Sequence, residues 1–124
     1  MKNMKTLSLL ALTALFAVAC STQSQNPNGA AIPPEELAAR TAVANKVGAP
    51  VDETGVAEKY TVEFSDSSLD CPEPDMMYAQ VITPGYQIFV TWQERTFDVR
   101  VAGEFAQVCE RGGTEPRRIE NRSR

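Results

Sequence analysis

From residue 56 the pattern of the chain changes to that of strands, in segments where apolar and polar side chains alternate. "KYTVEF" (59–64) sets Tyr60, Val62 and Phe64 on one side and Thr61 and Glu63 on the other. "YQIFVTW" (86–92) gives Ile88, Val90 and Trp92 one face and Gln87, Phe89 and Thr91 the opposite one. "TFDVRV" (96–101) repeats the pattern through Phe97, Val99 and Val101, and "YAQVIT" (78–83) and "EFAQVC" (104–109) complete the set. Period two with β-branched and aromatic residues marks half-buried antiparallel strands. The links are short, with Pro84–Gly85 read as a turn between two strands. They leave no room for parallel crossovers, which need about a dozen residues.

Upstream, "PPEELAARTAVANKVGAP" has the signals of a helix over about 35–47. Pro34 suits the first helical position, Glu35 and Glu36 the first turn and Lys46 the last, while Gly48 and Pro50 supply the stop. Leu37, Val43, Ala44 and Val47 share one broad face, with Arg40 intruding on it. So thin a stripe must gain its stability by docking. The pattern predicts an α+β domain over 35–110, with one N-terminal helix packed on a four- to five-stranded antiparallel meander. Residues 21–34, "STQSQNPNGAAIPP", carry no periodicity and read as a flexible tether. The tail 111–124, "RGGTEPRRIENRSR", reads as disordered.

The first nineteen residues change the picture. "MKNMK" precedes an apolar run from Leu7 to Ala19, 13 residues long. A bilayer span takes roughly 20, so the run reads as an export signal. Ala17 and Ala19 form an A-x-A site that a general signal peptidase would accept, and they stand directly before Cys20. Either cut leaves a chain that starts at Cys20. "LFAVACS" resembles the lipobox of bacterial lipoproteins, with Ala17 where leucine is usual. That resemblance implies an acylated Cys20 holding the protein on a lipid bilayer. Ser21, in place of the aspartate that retains such proteins at the inner membrane, implies the periplasmic face of an outer membrane.

Three cysteines in an exported chain leave one over. With Cys20 acylated, Cys71 and Cys109 are free to pair and staple a small core; two buried free thiols are the alternative. Charge argues about partners. Without Lys2 and Lys5 the chain holds 10 basic residues against 16 acidic ones, and residues 20–110 alone hold 5 against 14. Nucleic acid is excluded as a partner, because phosphate binding rests on clustered positive charge.

The chain contains no histidine, which removes the commonest general base and nucleophile activator. No glycine-rich phosphate loop occurs. The carboxylates of "DSSLDCPEPD" (66–75) do not follow the alternate spacing of an EF-hand. No cysteine has a second ligand at metal-binding spacing. The expectation is a protein without catalytic residues, metal or cofactor that binds or scaffolds an envelope partner.

"DSSLDCPEPDMMYAQVITPGYQI" (66–88) resembles a small bacterial family whose signature reads approximately D-S-S-L-G-C-P-x-P-G-M-x-Y-A-Q-V-x-T-P-G-Y-x-I, followed by a strand pair and a final cysteine. The resemblance implies a domain but no activity. Asp70 and Asp75 stand where it has glycines, and aspartate tolerates positive φ better than most residues. Arg100 stands where a histidine is often found. A second stretch, "ITPGYQIFVTWQERTFDVRVAGEFAQVC", is similar in rhythm to exported protease inhibitors of the potato-inhibitor-I-like kind. That likeness implies an exposed loop at "WQERT", with Trp92 and Glu94 in it and Arg95 near its apex. Its plainer alternative is an ordinary hairpin turn.

Overall fold

In the computed structural model, which describes residues 30–110 and 113–120, the helix begins where the proline pair predicts. Helix α1 runs Pro34–Val47 with Pro34 in its first turn, and it ends on Gly48 at φ 71°, the left-handed conformation that glycine adopts without strain. It docks through small residues: Ala39, Val43 and Ala44 are buried. Leu37, expected on the inner face, points out. Arg40 is put to use there, donating to the Val51 carbonyl at 2.9 Å and to the Thr54 hydroxyl at 3.1 Å. It thereby pins the helix to the 3-10 turn Val51–Glu53 and to the strand that follows.

Five antiparallel strands follow: β1 Thr54–Phe64, β2 Thr83–Trp92, β3 Arg95–Ala102, β4 Phe105–Val108 and β5 Arg117–Arg118. Their order across the sheet is β4-β3-β2-β1-β5. One helix on an antiparallel sheet is the α+β architecture read from the alternation. Two details differ. Residues 78–82 form no strand, and Pro84–Gly85 is no turn: Pro84 pairs with Glu63 and Gly85 with Val62 inside β2. Pairing of β2 with β3 starts only at Tyr86, so the missing N–H of Pro84 falls where no ladder bond on that side needs it. Gly85 is required by space, since a Cβ there would lie 2.1 Å from the Val101 carbonyl oxygen and 2.8 Å from the Phe64 ring.

The helix covers one sheet face only, yet both faces hold a core. Val56 pairs with Val90, but the next paired residue, Glu58, opposes Phe89, so Ala57 is the extra residue of a β-bulge. Beyond it the side chains of β1 exchange faces. Lys59 turns toward the helix, donating to Glu36 at 2.7 Å and Glu35 at 3.1 Å. Tyr60, Val62 and Phe64 turn away from it. The helix-side core gathers Ala39, Val43, Ile88, Val90, Phe97, Val99 and Val101. The second core is Val62, Phe64 and Leu69, and it is roofed by loops rather than by a helix.

Part of that roof comes from the tail. Within the stretch expected to be disordered, Arg117 and Arg118 pair with Glu63 and Val62, and Pro116 is buried. The Arg118 guanidinium lies 3.7 Å over the Tyr60 ring, and Ile119 N–H donates to the Thr61 carbonyl at 2.9 Å. The opposite charges of tail and body meet here. The apolar leader, Cys20 and the tether as far as residue 29 lie outside the described residues.

Candidate binding surface

Between β1 and β2 the chain spends eighteen residues, 65–82, without regular structure. Local chemistry shapes the first third. The Asp66 carboxylate accepts from the N–H and hydroxyl of Ser68, and the Asp70 carboxylate accepts from the N–H and hydroxyl of Ser65. Such side-chain bonds compete with secondary structure and favour turns. Leu69, Asp70 and Asp75 take positive φ, at 58°, 56° and 64°. Asp70 and Asp75 thus sit in the left-handed region that glycine adopts most readily.

Arg100 holds this turn to the sheet. It projects from β3 on the face away from the helix and is only 2% exposed. Its Nε and Nη2 grip both oxygens of Asp98 at 2.8 and 2.6 Å, a two-pronged pairing that suits a planar guanidinium. Nη1 donates to the carbonyls of Leu69 at 3.2 Å and Thr114 at 3.1 Å. Sheet, loop and C-terminal segment therefore meet on one side chain. Gln87, fully buried, donates to Asp98 at 3.2 Å, and its own carbonyl oxygen has no partner among the described residues. Cys71 and Cys109 form the expected disulfide, with Cα atoms 5.7 Å apart. Gln107 adds a bond to the Cys71 carbonyl at 3.1 Å.

From this root the remaining residues, 72–82, stand out from the sheet. Ser67 and Ala79 exchange two bonds, N–H to carbonyl at 3.0 Å and N–H to hydroxyl at 2.9 Å. Glu73 N–H reaches the Tyr78 hydroxyl at 3.0 Å. With the backbone tied, the apolar side chains face water: Met76 is 58% exposed, Met77 97% and Ile82 66%. Val81 is exposed beside them. A cleft of about 500 Å³ opens at one end of the loop, between Cys71–Pro74 and Gln107. Another of about 530 Å³ opens at the other end, between Ile82, Phe64 and Arg117.

The stretch expected to be an exposed loop carrying Trp92, Glu94 and Arg95 is a tight hairpin connection between β2 and β3. Gln93 and Glu94 alone make the connection, with Gln93 at φ 53°. Arg95 is not at an apex. It is the first residue of β3, pairs with Trp92, and lays its guanidinium 4.7 Å from the Phe97 ring. Trp92 packs against the helix-side core and donates to Glu53 at 3.4 Å.

Sequence reasoning missed the Met76–Ile82 display, since "YAQVIT" alternates as a strand does. The available signal was its flanks, two prolines before it and Pro84 after it, which shorten any strand. It also missed Arg100 as a clamp. A charged residue between Val99 and Val101 implies a solvated face only when nothing roofs that face. Among the described residues no group of three or more His, Cys, Asp or Glu could hold a metal ion.

Comparison with curated proteins and with solved structures returns no match. A family model does match, over residues 36–109, from the first turn of α1 to the second cysteine of the disulfide. The chain belongs to the family described as a domain of unknown function, DUF8738.

Proposed function

We propose that this chain is a lipid-anchored bacterial envelope protein whose domain works without catalysis, presenting the loop 72–82 to a protein partner. One observation carries the binding part. Of seven large hydrophobic residues exposed among the described ones, four sit on this single loop: Met76, Met77, Val81 and Ile82. Apolar side chains gathered at one exposed place mark an interaction site more often than scattered ones do. The loop's backbone is pinned by a disulfide, a buried arginine and paired bonds, so little ordering entropy is lost on binding.

The anchor part is supported by the leader, the cysteine at its end and the odd count of three cysteines. The displayed loop 72–82 lies within the segment, 66–88, that resembles the family signature.

Two measurements test the reading. Intact mass of the protein recovered from membranes is expected to show acyl chains on Cys20 and the loss of two hydrogens at Cys71 and Cys109. A photo-crosslinking residue at position 77 is expected to capture a discrete protein in living cells, while one at exposed position 94 does not. An unacylated, water-soluble product defeats the anchor. Equal capture at both positions defeats the binding surface.

A further inference from the structure

Between Lys59 and Arg95 the chain has no lysine or arginine and six carboxylates: Glu63, Asp66, Asp70, Glu73, Asp75 and Glu94. Three of these have partners within the fold, Asp66 with Ser68, Asp70 with Ser65 and Glu63 with Arg117 at 3.6 Å. Glu73 and Asp75 are exposed on the loop itself, next to Met76 and Met77. The exposed charges that the loop itself carries beside its methionines are thus all negative, with Glu73 also lining the cleft at the foot of the loop, while the cation nearest the Ile82 end, Arg117, is paired with Glu63.

We infer that the loop docks a basic amphipathic segment of its partner, apolar side chains on Met76, Met77 and Ile82 and cations against Glu73 and Asp75. The inference rests on the binding reading above and adds the chemistry of the occupant. Methionine is unbranched and polarisable, and it adapts to varied apolar partners. The acidic rim selects sign and speeds encounter. Charge decides against the two other occupants. A second copy would set two acidic loops face to face, and like charges across an interface cost affinity. An anionic bilayer attracts basic segments, and this loop has none.

The test uses the purified protein, in phosphatidylcholine nanodiscs if it carries its anchor and free in buffer if it does not. Failure of the anchor reading is therefore seen separately from failure of this one. The probes are a short lysine–leucine peptide with helical amphipathic spacing and the matching glutamate–leucine peptide. The basic peptide is expected to bind at least about tenfold more tightly than the acidic one, and more weakly as salt rises. Met76→Ser with Met77→Ser is expected to weaken it about tenfold or more, and Glu73→Lys with Asp75→Lys to invert the preference between peptides. All four side chains are exposed, so the variants keep the fold; unchanged circular dichroism and an intact disulfide verify this. Equal binding of both peptides, no binding of either, or indifference to the loop changes overturns the inference. So does a dimer, or adhesion to phosphatidylglycerol vesicles, that Met77→Ser abolishes. If crosslinking at position 77 still captures a protein in those cases, the binding reading survives and only the partner's chemistry is wrong.

Discussion

Replacing Arg100 by methionine keeps an unbranched stem of similar reach and removes only the guanidinium. Four hydrogen bonds go with it: two to Asp98, one to the Leu69 carbonyl and one to the Thr114 carbonyl. Removing one partner of a buried ion pair costs about 3–5 kcal/mol, because the other charge stays behind without compensation. Here the lower end applies. The Asp98 side chain is 24% exposed and regains some water, and Thr114 lies at the surface. Leu69 is buried, so its carbonyl stays unpaired, at about 1–3 kcal/mol on its own. A loss of about 3 kcal/mol lowers Tm by roughly 12–24 °C in a domain of this size. Thermal melts and urea titrations under non-oxidising, non-reducing conditions read it directly. Hydrogen exchange at the Thr114 amide, bonded to the Asp70 carbonyl at 2.8 Å, is expected to accelerate first. A double-mutant cycle with Asp98→Asn separates the pair from the two carbonyls. If Arg100→Met melts within about 4 °C of the parent, corresponding to roughly 1 kcal/mol, the clamp does not hold the loop.

Three further outcomes are expected. Gly85→Ala drives a methyl group 2.1 Å from the Val101 carbonyl oxygen and must separate β2 from β3; a loss of about 3 kcal/mol or more in urea unfolding checks it, and a neutral result refutes the close approach. Exchanging Cys71 and Cys109 together for serine opens a loop with a sequence separation of 38, worth about 4 kcal/mol on the chain-entropy estimate, and limited proteolysis is expected to cut within 72–82. Lys59→Met tests the helix–sheet ion pairs through pH. Glu35 lies below its ordinary 4.5, chiefly through its own backbone N–H and then Lys59, so its contribution is present above about pH 4.5 and lost as pH falls through the lowered value. Lys59 lies above 10.5, chiefly through Glu36, so its contribution is present below about pH 10.5 and lost as pH rises through the raised value. The substitution is expected to shrink both the alkaline and the acid limb, each change worth under about 1 kcal/mol at these partly exposed sites. Unchanged limbs in melts across pH would refute the assignment.

The strands β1, β2 and β3 were legible because their cores obey period two, and the helix because proline, acids, lysine and glycine mark its ends. Cysteine arithmetic gave the disulfide. What the pattern could not give was which face of β1 is buried. The bulge at Ala57 is a single extra residue, and its flanks read as uninterrupted strand. One slip there moves Tyr60, Val62 and Phe64 to the far face of the sheet. A second core follows, then a roof to cover it, and then an ordered role for tail residues that composition alone marks as unstructured. The 78–82 segment failed for the opposite reason. Alternation in "YAQVIT" is satisfied equally by a strand and by an exposed loop, and only the lack of a neighbouring strand decides between them.

The roof and the display are linked by the same physics. A bare loop carrying Met76, Met77, Val81 and Ile82 would fold back on the nearest apolar surface, since burial is worth about 25 cal/mol per Å². In this domain the nearest such surface is already taken. Leu69 fills the second core beside Val62 and Phe64, Pro116 and Arg118 close its margin, and Arg100 locks both covers to β3. The Ser67–Ala79 bonds then hold the rest of the loop away from that margin. Exposure of its methionines is consequently a property of the frame and not of the loop's own sequence. Loosening Arg100 is expected to cost binding as well as stability, by letting the loop collapse, whereas Met77→Ser costs binding alone. Equal peptide affinity for Arg100→Met and the parent, measured below the variant's melting range, would show that frame and display are independent.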